Sequence, residues 1–138
     1  IDLIHYASAQ GINILDCWMP DPKSRDIIGK GIKDNRRQWY IQGHIGSTWK
    51  DEQYFRTRDM KYVRPAFEDL LRRLQTDYID LGMIHYVDSE KEWEQMQHSD
   101  YLGYVTELKN SARQAKAPAT RPPRDTEPAA PAGRGARA

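Results

Sequence analysis

The chain has 138 residues and a formal net charge of +1, because 21 Lys and Arg oppose 20 Asp and Glu. This length suits one ordinary domain, and the balanced charge indicates neither a nucleic acid nor an acidic surface as partner. Charged residues interrupt every apolar run well before the roughly 18 residues that cross a bilayer, so we expect no membrane partner. The single cysteine, Cys17, cannot form an internal disulfide, and we therefore expect a cytoplasmic protein.

The first half of the chain alternates between helical and extended patterns. An apolar stripe over residues 3–9 predicts a helix that stops at Gly11, a residue suited to the left-handed position after a helix. The short apolar run 13–16 is typical of a strand that is buried on both faces of a parallel sheet. Ser24 is the expected cap of a second helix, and residues 39–44 are predicted to form a second strand.

The second half repeats this alternation. Residues 47–58 contain aromatic side chains without a clean period, which predicts a structured loop. Asp59 is expected to open the clearest helix, because apolar residues then recur every three or four positions up to residue 74. Residues 79–84 are predicted as the third strand and residues 101–108 as the last helix.

Alternating helices and strands with short connections predict an α/β fold with about three parallel strands and four helices. We expect this domain to cover residues 1–110. From residue 111 onward the sequence is rich in Ala, Pro, Arg and Gly, so residues 111–138 are predicted to be a disordered tail. The tail is basic but has no aromatic side chain to stack on bases, and we expect no specific nucleic-acid binding.

Polar residues follow each predicted strand. Asp16 closes the first strand, with Asp21 just beyond it, and His44 and His85 close the second and third. Because parallel strands end at the same edge of a sheet, these four side chains form a candidate active site. The alternatives are that Asp16 caps the next turn, that Asp21 is a solvated turn residue, and that His44 and His85 are structural histidines with satisfied hydrogen bonds.

Three motifs follow one another along the chain. They are the run Gly11–Asp16, then Ser24 with Ile28-Gly29, and the run Asp77–Leu81 leading to Ile84-His85. Over residues 1–110 they resemble the aldo/keto reductase family, whose fold is an eight-stranded (β/α) TIM barrel that uses NADP or NAD. The resemblance implies a partial barrel, truncated at both ends. The stretch 39–88 most resembles the subgroup with ferredoxin-like iron–sulfur motifs near the C-terminus, and this chain has no such cysteine cluster.

The family's catalytic tetrad is Asp, Tyr, Lys and His. By resemblance, Asp16 matches the Asp, which also lies at the cofactor, and His85 matches the His that orients the carbonyl. The Tyr that protonates the carbonyl falls on Asp21, and the Lys that lowers the pKa of that Tyr falls on His44. An ionised Asp cannot donate a proton at pH 7 unless its pKa is strongly raised, so the ordinary chemistry needs a substitute.

Three interpretations stay open. In the first, His44 replaces the Lys beside Asp16, and His44 or His85 supplies the proton for reduction of a small carbonyl substrate. In the second, Asp16, Asp21, His44 and His85 bind a divalent metal for hydrolase or lyase chemistry. In the third, the barrel binds without catalysing. Because most of the barrel lies outside the resemblance, we expect the fragment alone to be inactive.

Overall fold

The computed structural model describes the backbone of residues 1–115 and the side chains of residues 1–111. Helices and strands alternate along most of the chain, except that two short strands follow one another over residues 47–56. The elements in order are α1 (Asp2–Ala9), β1 (Ile14–Cys17), α2 (Pro22–Ile32), β2 (Tyr40–Ile45), β3 (Ser47–Lys50), β4 (Gln53–Arg56), α3 (Met60–Leu74), β5 (Leu81–Ile84), α4 (Glu90–Gln97) and α5 (Asp100–Ala115).

The main sheet has three parallel strands in the order β1-β2-β5. Its register pairs Asp16 with Gln42 and His44 with Met83, so the three strands end at the same edge. The three predicted strands are confirmed, each within two residues of its predicted bounds. The α/β fold class with parallel strands is therefore confirmed as well.

The two faces of this sheet differ in burial. Along β2 the residues Ile41, Gly43 and Ile45 are buried, whereas Gln42 and His44 between them are half-buried. Successive residues of a strand point to opposite faces, so β2 presents its apolar residues to one face only. We call the face covered by α2 and α3 the helix face and the opposite one the open face.

The helix face contains the core of the protein. Its fully buried side chains come from α2, α3 and the entry into β2, and they include Ile32, Trp39, Leu70 and Leu74. Helices α2 and α3 pack closely at Gly29, where a Cβ atom would lie 2.1 Å from the carbonyl oxygen of Arg73. A residue without a side chain is therefore needed at this contact.

Two local expectations are wrong. Helix α2 begins at Pro22 and is capped by Asp21, whose carboxylate accepts from the backbone N–H groups of Lys23 and Ser24, so Ser24 is not the cap. Proline suits the first helical position because that N–H has no partner inside a helix. The loop predicted at residues 47–58 is instead, over residues 47–56, an antiparallel hairpin of β3 and β4.

The structure also adds to the expected helices. Helix α4 begins after Ser89, whose hydroxyl accepts from the N–H of Glu92, and it is a fifth helix. Helix α5 continues to Ala115, past the domain boundary expected near residue 110. That boundary stays a prediction, and the predicted disorder of the tail from residue 116 lies outside the described residues. Among the described helices none is long and apolar enough to cross a membrane.

Candidate active site

Four side chains form a continuous line of hydrogen bonds at the end of the sheet. Asp16 Oδ1 lies 2.8 Å from His44 Nε2, and His44 Nδ1 lies 2.8 Å from His85 Nδ1. His85 Nε2 in turn lies 2.7 Å from the hydroxyl of Tyr54. The predicted convergence of Asp16, His44 and His85 is confirmed. We call these four residues the Asp16–Tyr54 line.

Strand pairing places the first three members of the line. Asp16 and His44 lie on neighbouring parallel strands and point to the open face. His85 follows β5, and its backbone N–H donates to the carbonyl of Ile45 at 3.1 Å, which continues the ladder between β2 and β5. The sheet therefore fixes the spacing of the carboxylate and the two imidazoles.

The β3–β4 hairpin brings Tyr54 onto His85. Gly46 permits the sharp exit from β2, since its φ of +100° is readily adopted only by glycine. The N–H of Thr57 donates to the carbonyl of Gly46 at 3.1 Å, and Ser47 Oγ donates to the carbonyl of Trp18 at 2.7 Å. Both ends of the hairpin thus bond to residues that directly follow β1 and β2, and its second strand carries Tyr54 to His85.

His85 is the buried centre of the line, with 2% of its surface exposed. Burial, together with the positive charges of His44, Arg58 and Arg56, lowers the pKa of His85 to about 4. The Asp16 carboxylate opposes this shift but does not cancel it. His85 is therefore a neutral imidazole at pH 7.

The two ends of the line are more accessible than its centre. The Asp16 side chain is 49% exposed, against 9% for His44. Tyr54 is 39% exposed, and its ring contacts Trp18 edge-on at 6.0 Å between centroids. Burial, with the neighbouring Tyr86, raises the pKa of Tyr54, so the phenol keeps its proton at neutral pH.

Tyr86 packs against His85 at the edge of the site. Its ring centroid lies 4.5 Å from that of His85, and its backbone is in the left-handed region with φ +49°. Arg58 donates to the carbonyl of Tyr86, which holds this strained residue in place. Strained backbone of this kind is concentrated at functional sites.

Asp21 is not part of the line. Its carboxylate accepts from the backbone N–H of Ser24 at 3.0 Å and from the Ser24 hydroxyl at 2.8 Å. These hydrogen bonds lower the pKa of Asp21, so the group is ionised at pH 7 and has no proton to donate. Whether Asp21 has any catalytic role stays a prediction.

The donor set does not fit a metal or an iron–sulfur cluster. Among the described residues no three His, Cys, Asp or Glu side chains are arranged to hold a metal ion. Both ring nitrogens of His44 and of His85 face hydrogen-bond partners within the line. An iron–sulfur cluster is held by four thiolates, and burial raises the pKa of the one thiol present, Cys17, to about 11.

Sequence reasoning missed Tyr54. The missed signal is two four-residue runs with β-branched or aromatic residues, 47–50 and 53–56, separated by two residues, which is hairpin spacing. The turn residues Asp51 and Glu52 adopt φ values of +50° and +59° without the glycine or asparagine that usually marks such turns. Because the turn lacks these residues, the sequence did not indicate a hairpin here.

Comparisons with known proteins agree with this architecture. The chain is 36% identical over 92 residues to the aldo-keto reductase YhdN of Bacillus subtilis, a match that covers 64% of this chain and 28% of that protein. It is 33% identical over 72 residues to the glyoxal reductase of the same organism, covering 50% of this chain and 23% of the relative. The chain therefore spans less than a third of either relative.

Solved structures give the same result. A crystal structure assigned to the aldo-keto reductases, from Pseudomonas aeruginosa, superposes with a TM-score of 0.66 at 27% identity, over 80% of this chain and 43% of that one. The sequence model of the Aldo/keto reductase family matches residues 1–112. The chain therefore belongs to the aldo/keto reductase family of oxidoreductases, and its sheet is part of a TIM-barrel fold.

Proposed function

We propose that the protein containing this chain is an NAD(P)-dependent oxidoreductase that interconverts a small carbonyl compound and its alcohol. The observation that carries the proposal is the Asp16–Tyr54 line at the carboxyl edge of the sheet, where α/β enzymes build active sites. Family membership supports the reaction class, and the line supplies the acid–base group that the reaction needs.

In this proposal the His44 imidazole, paired with the Asp16 carboxylate, holds the proton that the reaction uses. A protonated imidazole beside a carboxylate is a charge-assisted pair, and their separation of 2.8 Å suits such a hydrogen bond. His85 is neutral at pH 7 and is buried, so it passes a proton without keeping the charge. This division of roles refines the interpretation in which His44 stands in for the lysine of the family.

The site fits the nicotinamide end of the cofactor through Asp16. Its carboxylate is half-exposed on the open face, next to the imidazole that holds the proton. The cofactor, when bound, supplies the hydride for reduction of the carbonyl carbon. Asp16 would contact the cofactor, and the rest of the line would handle the proton that accompanies the hydride.

Metal-dependent hydrolase or lyase chemistry is the weaker alternative. It requires Asp16, Asp21, His44 and His85 to converge with free ligand atoms. Instead Asp21 caps α2, and the histidine nitrogens face one another, Asp16 and Tyr54. A barrel that binds without catalysing is the remaining alternative, and cofactor binding alone does not distinguish it from the enzyme.

The direct test uses the complete protein. We expect NADPH or NADH to bind, measured by quenching of tryptophan fluorescence, and to be oxidised on addition of glyoxal. Oxidation of glycerol with NADP or NAD tests the alcohol-to-carbonyl direction with a second compound. Cofactor binding without turnover of either compound or of a wider aldehyde panel would favour the non-catalytic alternative, and loss of activity with EDTA would favour the metal-dependent one.

The matched comparison is the chain of 138 residues alone. We propose that it neither binds NADPH measurably nor reduces glyoxal, because it spans less than a third of the relatives named above. The double change Asp21→Tyr with His44→Lys should not restore activity to this chain, since an acid matters only after a cofactor is positioned. Activity of that variant would contradict this part of the proposal.

A further inference from the structure

The two imidazoles have no nitrogen free for a substrate. His44 uses Nε2 for Asp16 and Nδ1 for His85, and the amide nitrogen of Gln42 lies 3.3 Å from His44 Nε2. His85 uses Nδ1 for His44 and Nε2 for Tyr54. Because an imidazole has only two ring nitrogens, both rings are saturated by the line itself, whichever nitrogens carry protons.

The hydroxyl of Tyr54 is different. A phenol can accept a hydrogen bond and donate one at the same time, and Tyr54 lies at the exposed end of the line. It can accept from His85 Nε2 at 2.7 Å and still donate to an oxygen atom on its other side. Tyr54 is therefore the member of the line with a proton to offer outward.

We propose that Tyr54, supplied by the β3–β4 hairpin, is the catalytic residue that gives its proton to the carbonyl oxygen of the substrate, and that a proton from His44, which is paired with Asp16, replaces it through His85. This inference rests on the proposed oxidoreductase function. It gives the site a phenolic acid from an element other than the one that carries Asp21. His85 and His44 act through Tyr54 and are positioning residues, and Asp16 holds the His44 imidazole.

The proton count of this step balances. Before reaction His44 carries two ring protons, His85 carries one on Nε2, and the Tyr54 hydroxyl points to the substrate. In the reduction, for which the bound cofactor would supply the hydride, the Tyr54 proton forms the new O–H bond of the alcohol. The Nε2 proton of His85 moves to Tyr54, and the Nδ1 proton of His44 moves to Nδ1 of His85.

The line then rests in its other hydrogen-bonded state. Tyr54 donates to His85 Nε2, His85 donates through Nδ1 to His44, and His44 donates through Nε2 to the Asp16 carboxylate. Every contact in the line keeps a donor and an acceptor in both states, so no buried polar atom loses its partner. A proton from water restores the first state at the exposed Tyr54 end: it binds the Tyr54 oxygen, the former Tyr54 proton moves to His85 Nε2, and the Nδ1 proton of His85 moves back to His44.

The charges around the line favour this direction. Arg56 and Arg58 lie on the hairpin side of His85 and lower its pKa, whereas the carboxylate of Asp16 faces the other end. Asp88 and Glu92 pair with the two arginines, so their charges are partly balanced. The two arginines therefore disfavour a second proton on His85, and the phenol of Tyr54 lies at the end of the line away from the Asp16 carboxylate.

The test compares Tyr54→Phe with Tyr62→Phe in the complete protein. Tyr62 lies on α3, and its ring packs edge-on against Phe55 of the same hairpin strand, 5.7 Å between centroids. With glyoxal and NADPH as probes, we expect Tyr54→Phe to lower kcat by about 10²- to 10⁴-fold, the usual loss of a general acid. NADPH affinity and Tm should match those of Tyr62→Phe.

A second readout needs no cofactor. Selective ¹⁵N labelling of histidine reports which ring nitrogens carry protons, and His44→Gln and His85→Gln assign the resonances. We expect Tyr54→Phe to shift both ring nitrogens of His85, because Nε2 loses its partner, and Tyr62→Phe to leave them unchanged. A structural role alone would not produce this selective shift together with a kcat loss at unchanged NADPH affinity.

The failures can be told apart. If the wild-type protein neither binds NADPH nor reduces glyoxal or any aldehyde of a wider panel, the proposed function fails and this inference falls with it. If the wild type is active and Tyr54→Phe retains kcat within about twofold of Tyr62→Phe, only the assignment of Tyr54 is overturned. Unchanged His85 resonances in Tyr54→Phe would also overturn it.

Discussion

The helix face and the open face of the three-stranded sheet carry different kinds of side chain. On the helix face β2 contributes Ile41, Gly43 and Ile45, all buried against the helices. On the open face the same strand contributes Gln42 and His44, which hydrogen-bond to their neighbours. One strand thus supplies stability on one side and acid–base groups on the other, by alternation alone.

This difference separates the effects of substitutions. Changes on the helix face should alter the free energy of unfolding, because they remove packed apolar volume. Changes to the half-exposed polar groups of the open face should alter proton transfer more than stability, because such groups contribute little to folding. The buried His85 at the carboxyl edge should affect both. The predictions below test this separation, from the largest expected effect on the free energy of unfolding to the smallest.

The largest effect is expected from Trp39→Ala on the helix face. Trp39 is 1% exposed, and its indole N–H donates to Asn35 Oδ1 at 3.2 Å. Removing a buried tryptophan typically costs about 3–5 kcal/mol, which chemical denaturation will measure. The matched control is Trp93→Ala, since Trp93 is 42% exposed on α4 and should cost less than about 1 kcal/mol. Equal losses would remove the distinction between buried and exposed positions.

The sequence contained enough to find the helix face and three members of the line. Short apolar runs predicted the strands, and the rule that parallel strands end at one edge predicted that Asp16, His44 and His85 would meet. Tyr54 could not be found this way, because it depends on a hairpin whose turn residues have unusual φ values. A long-range hydrogen bond of this kind leaves no periodic pattern in the sequence.

A second effect concerns pH. The pKa of folded His85 is about 4, below the ordinary value near 6.5 that the unfolded chain should have. Between these values the unfolded state binds more protons, so stability is full above pH 6.5 and falls as pH drops towards 4. We expect a loss of about 3 kcal/mol across this window, measured by denaturation at each pH.

The variant His85→Gln should remove most of this pH dependence. Its control is His98→Gln, because His98 is exposed at the end of α4 and should leave the slope unchanged. A stability curve of the wild type that stays flat between pH 4 and 6.5 would show that His85 is protonated as easily in the folded state as in the unfolded one. The proposed division of roles between His85 and His44 would then be wrong.

The third effect is a test of backbone packing on the helix face. In Gly29→Ala the new Cβ atom would lie 2.1 Å from the Arg73 carbonyl oxygen, so α2 and α3 must separate. Overpacking of this kind typically costs about 1–3 kcal/mol. In Gly103→Ala on α5 the new Cβ meets nothing within 4 Å, and replacing a helical glycine should stabilise by about 0.5–1 kcal/mol. Thermal unfolding should therefore show shifts of opposite sign.

The smallest effect is expected from Asp21→Asn, next to the carboxyl edge. Asparagine caps helices about as well as aspartate, so the hydrogen bonds to the N–H groups of Lys23 and Ser24 should survive and the Tm should not change. If Asp21 is only a cap, kcat of the complete protein should also stay unchanged, because the Asp16–Tyr54 line does not include this carboxylate. Asp21→Ala removes the cap and should lower the Tm while leaving kcat near the wild-type value. A large loss of kcat in Asp21→Asn at unchanged Tm would instead return Asp21 to the catalytic group that the sequence indicated.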